Sequence, residues 1–253
     1  MTSIGEGLAG AAALVTGATS GLGRAVALRL AAGGANVALL GRSQQDLDDV
    51  AEQIETTGLR ALPIQVDLAH AASLGEVVDR AVRELGKLSV LVNAAGTDVP
   101  RSAEDLSLDE WERVLAVNLT APFMLAQAAM PHMRQRGGGL IVNISSVAGR
   151  RGWANASAYC ATKFALTGLT QSLAAEGRQD GIRVCVLYPG AMSTSWGTFE
   201  PTQREAGRAQ PADDRDSLDP AIVADLIAWM ATAPWHAVLN EVTMTPIRET
   251  GWP

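Results

Sequence analysis

Residues 12–16 read Ala-Ala-Leu-Val-Thr, and the chain then runs through Thr16-Gly17-Ala18-Thr19-Ser20-Gly21-Leu22-Gly23 into a helical stretch. A strand that feeds a glycine-rich turn and then a helix constrains the fold strongly. The glycines permit a tight turn, a close approach of backbone to a pyrophosphate, and helix N–H groups aimed at that anion. Glycines also serve ordinary turns, so the weight rests on the strand-turn-helix context at the first strand. The spacing, Gly-x-x-x-Gly-x-Gly, is one residue longer than the usual dinucleotide fingerprint.

The rest of the chain repeats the alternation. Short runs rich in Val, Ile and Leu predict strands at Ala12 to Thr16, Asn36 to Leu40, Ala61 to Val66, Ser89 to Val92, Leu140 to Ile144, Arg183 to Tyr188 and Glu241 to Thr245, with helices between them. This pattern predicts an α/β fold, a Rossmann-type doubly wound parallel seven-stranded sheet. At 253 residues the chain lies near the upper size of one core, roughly 250 to 300, so a single domain is expected. Ser43 starts a helix that stops at Gly58, Ser107 and Glu110 form a capping box, and Pro220 opens a helix that Pro234 closes. Phe199 to Asp219 is polar, charged and proline-containing, and predicts a mobile loop within the segment 191–219.

Composition excludes several classes. A hydrophobic content of 47% excludes a disordered chain, and a net charge of −7 argues against nucleic acid or an anionic membrane as partner. Val114 to Met133 has no charge, but it contains Asn118, Thr120, Gln127, His132 and two prolines, and reads as a buried helix of a soluble protein. No Lys or Arg precedes Arg24, so no export signal is expected. Cys160 and Cys185 read as buried small hydrophobes in a reducing cytoplasm. His70, His132 and His236 have no paired spacing, and no catalytic metal is expected.

At the end of the second strand, where NAD enzymes place a carboxylate about 20 residues after the glycines, the chain reads Leu40-Gly41-Arg42-Ser43. Gly41 leaves room and Arg42 can grip a 2′-phosphate in bidentate fashion, which favours NADP(H) over NAD(H); a solvated surface cation is the other reading. Asp67-Leu68 and Asn93-Ala94-Ala95-Gly96 stand at further strand ends, where ligands of open sheets lie. Tyr159 and Lys163 share one helix face at i and i+4. Lowering a phenol from about 10 to about 7 takes roughly 4 kcal/mol, and Lys163, with the positive ring of an oxidised nicotinamide, can supply much of it. Ser146 can hold a substrate carbonyl oxygen against the tyrosine, with Ser145 as its competitor. Pro122 lacks the N–H that would bond the Asn118 carbonyl, and that freed carbonyl can hold a water leading to Lys163.

In this order and in these elements, Thr16 to Gly23, Asp67, Asn93-Ala94-Ala95-Gly96, Asn118, Ser146, Tyr159 and Lys163 resemble the short-chain dehydrogenase/reductase family, in its compact branch. Pro189-Gly190-Ala191-Met192-Ser193-Thr194 looks like that family's loop closing on the nicotinamide carboxamide. The resemblance implies strand order 3-2-1-4-5-6-7 and hydride transfer between NAD(P)H and a carbonyl carbon. It implies Asn118, Ser146, Tyr159 and Lys163 as the catalytic set: Tyr159 as acid and base, Ser146 as the group orienting the oxygen, Lys163 on the nicotinamide ribose, and Asn118 completing the proton relay. Gly17, Thr19, Ser20, Gly21, Leu22, Gly23, Arg42, Asp67, Leu68, Asn93, Gly96, Pro189, Gly190, Met192 and Thr194, with Tyr159 and Lys163, are the expected cofactor contacts. Asn93-Ala94-Ala95-Gly96 varies the family's Asn-Asn-Ala-Gly, and residues 240–246 lack the ending of acyl-carrier-protein-linked ketoreductases.

The expected substrate is a small carbonyl compound or secondary alcohol, met by Ser146, Tyr159, Trp153 and Trp196, with Met192 and Phe199 nearby. Those bulky residues serve equally as core or interface. Arg150 and Arg151 can meet an acidic substrate or stand as solvated loop cations. A catalytically silent nucleotide sensor or scaffold of the same fold would be expected to have lost Tyr159 or Lys163, and a sugar-nucleotide epimerase would need a larger C-terminal domain. Only 19% of residues are charged, against about 25% in an average soluble domain. The stretches Val114 to Met133 and Phe164 to Ala175 carry no charge, so they predict a homodimer or homotetramer assembled over those helices.

Overall fold

The computed structural model describes residues 7–194, 196 and 215–249. Strands β1 (Ala12–Thr16), β2 (Asn36–Gly41), β3 (Ala61–Gln65), β4 (Leu88–Asn93), β5 (Gly139–Ile144), β6 (Ile182–Pro189) and β7 (Glu241–Met244) form one sheet in the order β3-β2-β1-β4-β5-β6-β7. Every neighbouring pair is parallel, as the alternating pattern requires. The helices are α1 (Gly21–Ala32), α2 (Gln44–Glu55), α3 (Leu74–Leu85), α4 (Leu108–Leu115), α5 (Ala121–Arg136), α6 (Ser157–Gly177) and α7 (Pro220–Thr232).

Successive strand residues point to opposite faces, and both faces are covered. Val15, Leu39, Val92, Val142 and Leu187 pack with α1, α2 and α7, whereas Leu14, Leu40, Leu91 and Ile141 pack with α3, α5 and α6. Each fully buried Leu or Val contributes roughly 1.5 to 3 kcal/mol. Helix ends follow local chemistry. Ser43 caps α2 through Asp46 N–H, Ser107 and Glu110 form the reciprocal capping box of α4, and the Asp219 side chain accepts from Ala221 N–H ahead of Pro220. The α2 helix ends at Glu55, short of the expected Gly58, because the last turn loosens before the left-handed Gly58.

Between α4 and α5 the helix widens into one π turn, Ala116–Thr120, with Ala121 N–H bonded to Ala116 O. Leu108–Arg136 is long and apolar enough to cross a membrane by length and composition, yet Ala121, Leu125, Ala129 and Met133 are buried against the sheet and α3. The order of strands reverses between β1 and β4, and the loops at the carboxyl ends of these two strands frame the crevice where open α/β sheets bind ligands.

Candidate active site

The turn after β1 is built for close approach. Gly17 has φ +67, and a Cβ there would lie 3.0 Å from Ala95 Cα, so the turn and the β4 loop touch backbone to backbone. A Cβ on Gly23 would stand 2.2 Å from Gly17 O, which fixes glycine where α1 packs on the strand. Ser20 is the N-cap of α1 but makes no side-chain cap, and the first turn contains no acidic residue. Such an end, with its positive dipole, suits a pyrophosphate, and this chain's residues fit a dinucleotide. Thr194, from the loop after β6, packs against Gly21, so that loop reaches the glycine turn.

At the end of β2, a Cβ on Gly41 would fall 2.8 Å from the Thr19 methyl and 3.2 Å from Leu47. Glycine is therefore demanded by contact with the turn, a different reason from the open space read in the sequence. Arg42 is exposed, and among the described residues it has no ion-pair partner. Asp67 accepts from Ala69 N–H at 3.0 Å and from Arg113 at 3.2 Å. The backbone N–H, opposed by partial burial and helped by Arg113, lowers its carboxyl below the usual range. Leu68 is buried beside it. Asn93 turns its amide inward: Nδ2 donates to Asn143 at 2.8 Å, and Asn143 donates to Thr170 at 2.9 Å. Pro189 ends β6 and Gly190 follows it; Glu249 accepts from Ala191 N–H at 3.1 Å, and Met192 packs partly into the core.

Across the crevice, α6 presents Tyr159 and Lys163, 7% and 4% exposed. Ser146, in the loop after β5, caps the short turn Val147–Gly149 by accepting from Ala148 N–H, and its hydroxyl is near enough to the Tyr159 phenol to act on its ionisation. The choice between the serines resolves by direction: Ser145 donates to Lys163 O at 3.0 Å inside the fold. Gly149 lets this turn approach α6, since a Cβ there would meet Ser145 Oγ at 2.5 Å and Lys163 O at 2.7 Å.

Lys163 Nζ donates to Ile144 O at 2.8 Å and lies 5.4 Å from the centre of the Tyr159 ring. Burial pulls this ammonium down to about 8. The expected lowering of the Tyr159 phenol called on Lys163 together with an oxidised nicotinamide; within the protein alone, Lys163 is not among the groups that shift it. Burial raises it above the ordinary tyrosine value, the nearby Ser146 hydroxyl opposes that rise, and the negative charge of Asp98 adds to it.

Asn118 works through its side chain as well as its place in the π turn. Oδ1 accepts from Thr97 N–H at 2.8 Å, and Nδ2 donates to Thr97 O at 2.8 Å and to Thr162 Oγ1 at 3.2 Å. Thr162 in turn donates to Tyr159 O. The sequence reading missed Thr97, Thr162 and Asp98; the place to look was the pair of residues that follows Gly96.

Trp196 stacks on Tyr159, ring centres 5.5 Å apart, and its ring edge approaches Gly96. It thus stands at the tyrosine as expected. Trp153 is 44% exposed in the segment before α6. Phe199 and the expected loop from Phe199 as far as 214 lie outside the described residues. Arg150 is held within the fold: its guanidinium lies 4.1 Å from the centre of the Tyr188 ring and pairs with Glu241, which also accepts from Gln171. Among the described residues no three His, Cys, Asp or Glu side chains gather as a metal site.

Comparison with known proteins agrees with this geometry. The family model for short chain dehydrogenase matches residues 11–205. An uncharacterized oxidoreductase of Staphylococcus aureus is 32% identical over 236 residues, 93% of this chain and 96% of its own length. A short chain dehydrogenase from Burkholderia cenocepacia, solved in complex with NADP, is 35% identical with a TM-score of 0.82 over 94% of this chain and 96% of that one. A blue fluorescent protein from a metagenomic library, solved in complex with NADPH, is 30% identical with a TM-score of 0.85 over 96% and 99%. With the seven-stranded order, the glycine turn and the Ser146-Tyr159-Lys163 cluster in place, the chain belongs to the short-chain dehydrogenase/reductase family of oxidoreductases.

Proposed function

We propose that the protein is an NADP(H)-dependent carbonyl reductase or alcohol dehydrogenase acting on a small ketone or secondary alcohol. The observation that carries this reading is the buried Tyr159, with the Ser146 hydroxyl acting on its phenol and Lys163 one helical turn away, at the crevice that the glycine turn borders. A bound nicotinamide supplies or accepts the hydride and, when oxidised, brings a positive charge. Gly17, Thr19, Ser20, Gly21, Leu22 and Gly23 would hold the pyrophosphate side, and Lys163 and the 189–194 loop the nicotinamide side. Arg42 would pair with a 2′-phosphate, and the NADP and NADPH bound to the two similar proteins support that preference.

Tyr159 gives its proton to the substrate oxygen in reduction and takes it back in oxidation. Ser146 donates to the same oxygen and fixes its direction. Lys163, fully desolvated, stabilises the phenolate when charged, and its Nζ lies on the Ile144 carbonyl at the end of β5. Asn118 holds the loop after β4 and, through Thr162, the first turns of α6. The charge-free faces of α5 and α6 are the proposed interface of a homodimer or homotetramer.

Replacing a positioned acid or base costs about 100- to 10,000-fold in rate. Tyr159→Phe is expected to lose that much turnover of ketones while keeping NADPH binding, read from NADPH fluorescence. Full turnover in this variant overturns the role of Tyr159.

A further inference from the structure

Residues 96–101 form one wall of the crevice, and three contacts fix them there. Gly96 faces the Trp196 ring that stacks on Tyr159. Thr97 is clamped by Asn118 on both its N–H and its carbonyl. Arg101 N–H donates to Asn155 O at 3.1 Å, and Arg101 bridges Ala156, three residues before Tyr159. Asn155 sits in the left-handed region at φ 61, a conformation asparagine tolerates, which turns its carbonyl toward this wall. Asp98 lies between these anchors, partly buried, and cannot drift from the tyrosine without breaking one of them.

The Asp98 side chain has little to do within the fold. Oδ1 accepts from the next residue's N–H, Val99, at 2.8 Å. No ion pair reaches it among the described residues, and no cation contributes to its environment. Asp98 follows the clamped Thr97 and the Gly96 that meets the Trp196 ring on Tyr159, which brings it to the tyrosine's side of the crevice; its charge acts on the phenol, and burial raises its own carboxyl. A carboxylate in that position is costly to desolvate unless a ligand brings a donor to it.

We propose that Asp98 is a specificity-determining residue that selects substrates carrying a protonated amine or a hydroxyl next to the reacting carbon. The ligand chemistry is a hydrogen-bond donor on the carbon adjacent to the carbinol, as in a vicinal amino alcohol or diol. This rests on the oxidoreductase reading above and narrows its substrate class. The carboxylate accepts the donor while Tyr159 and Ser146 hold the reacting oxygen.

Three isosteric alcohols test it: 2-butanol, 1,2-propanediol and 1-amino-2-propanol differ only in a methyl, hydroxyl or ammonium group at one position. With NADP⁺ as oxidant, kcat/KM is expected to be at least about 10-fold higher for the amine or the diol than for 2-butanol. Asp98→Asn is expected to abolish an amine preference and to keep part of a diol preference, because a carboxamide oxygen still accepts a hydrogen bond. In that variant the KM for NADP⁺ should stay within a factor of about 3, a change of under 1 kcal/mol, and because the Asp98 charge also bears on the Tyr159 phenol, the preference is read as the ratio of kcat/KM among the three alcohols. Equal kcat/KM for all three alcohols, or a preference that Asp98→Asn leaves intact, overturns the proposal while the oxidoreductase reading stands. If none of the three turns over, saturation-transfer NMR in the presence of NADP⁺ decides separately. A signal from the amine or diol that Asp98→Asn removes supports Asp98, and equal signals from all three overturn it.

Discussion

The carboxamide of Asn118 satisfies both backbone groups of Thr97, accepting from its N–H and donating to its carbonyl, each at 2.8 Å. One side chain thus imitates a strand neighbour for the loop that leaves β4. The π turn makes this possible, since the extra residue in Ala116–Thr120 rotates Asn118 toward the crevice while Val114 and Ala121 stay in the core. Removing the clamp leaves two partly buried backbone groups without partners, at about 1 to 3 kcal/mol each. Asn118→Ala is expected to destabilise the protein by about 2 to 6 kcal/mol in urea unfolding. A loss under about 0.5 kcal/mol, the range of an ordinary surface change, contradicts the clamp.

Arg42 stands exposed beyond β2, one residue past the glycine that touches Thr19. A charge-assisted pair with a 2′-phosphate contributes about 1.5 to 3 kcal/mol, or about 10- to 100-fold in affinity. NADPH is therefore expected to bind more tightly than NADH, and Arg42→Asp to narrow or invert the difference by that factor. Dissociation constants from fluorescence titration of both cofactors check this. Equal affinities in the unmodified protein refute the role of Arg42.

The strands of the sheet were legible in the sequence because each is a short apolar run bounded by turn residues, and a doubly buried parallel strand leaves that trace; their order came from the family resemblance. Tyr159, Ser146 and Lys163 were legible through the family resemblance, since helical spacing puts Tyr159 and Lys163 on one face but such a pair is common by chance. The electrostatics were not. Whether Lys163 lowers the phenol depends on how deeply both groups are buried and on Asp98, a charge 61 positions earlier in the chain. The roles of the Asn118 carboxamide and of Gly41 were likewise hidden, because each depends on a neighbour supplied by another loop.

The buried ammonium gives the stability a signature in alkali. Burial pulls Lys163 from 10.5 to about 8, so between those values the unfolded chain binds a proton that the folded chain does not. Stability therefore rises with pH across that window, and the charged form is a burden below about 8. Tyr159 and Cys185, both raised by burial, act in the opposite sense at higher pH, where the folded chain keeps protons that the unfolded chain loses. A Lys163→Met variant keeps those two groups and so isolates the lysine. Between pH of about 7.5 and about 9.5, wild type is expected to gain about 2 kcal/mol relative to the variant in urea unfolding, at 1.36 kcal/mol per pKa unit. Parallel stability curves for the two proteins would show that Lys163 keeps its ordinary affinity for the proton.

The sparse charge of the chain becomes a statement about assembly once the helices are seen. Phe123 on α5 is 39% exposed and Phe164 on α6 is 47% exposed, within two stretches, 114–133 and 164–175, that hold no Asp, Glu, Lys or Arg. The opposite faces of the same helices are in the core, where Leu125, Ala129, Leu166 and Leu173 are buried. These helices carry apolar residues on both sides, and the proposed cover for the outer face is a second copy in closed symmetry. A twofold interface uses each residue twice, so a charge placed there is met in both copies. Burying a Phe contributes roughly 1.5 to 3 kcal/mol, and losing two copies of it weakens a dimer by at least about 100-fold. Light scattering at micromolar concentration is expected to give a dimer or tetramer for the wild type. Phe164→Glu or Phe123→Asp is expected to give smaller species with an unchanged circular dichroism spectrum. A tetramer also needs a second surface, and α7 offers one, with Ile222 53% and Trp229 39% exposed; Ile222→Glu would then leave dimers. A wild-type mass equal to one chain overturns the proposed interface.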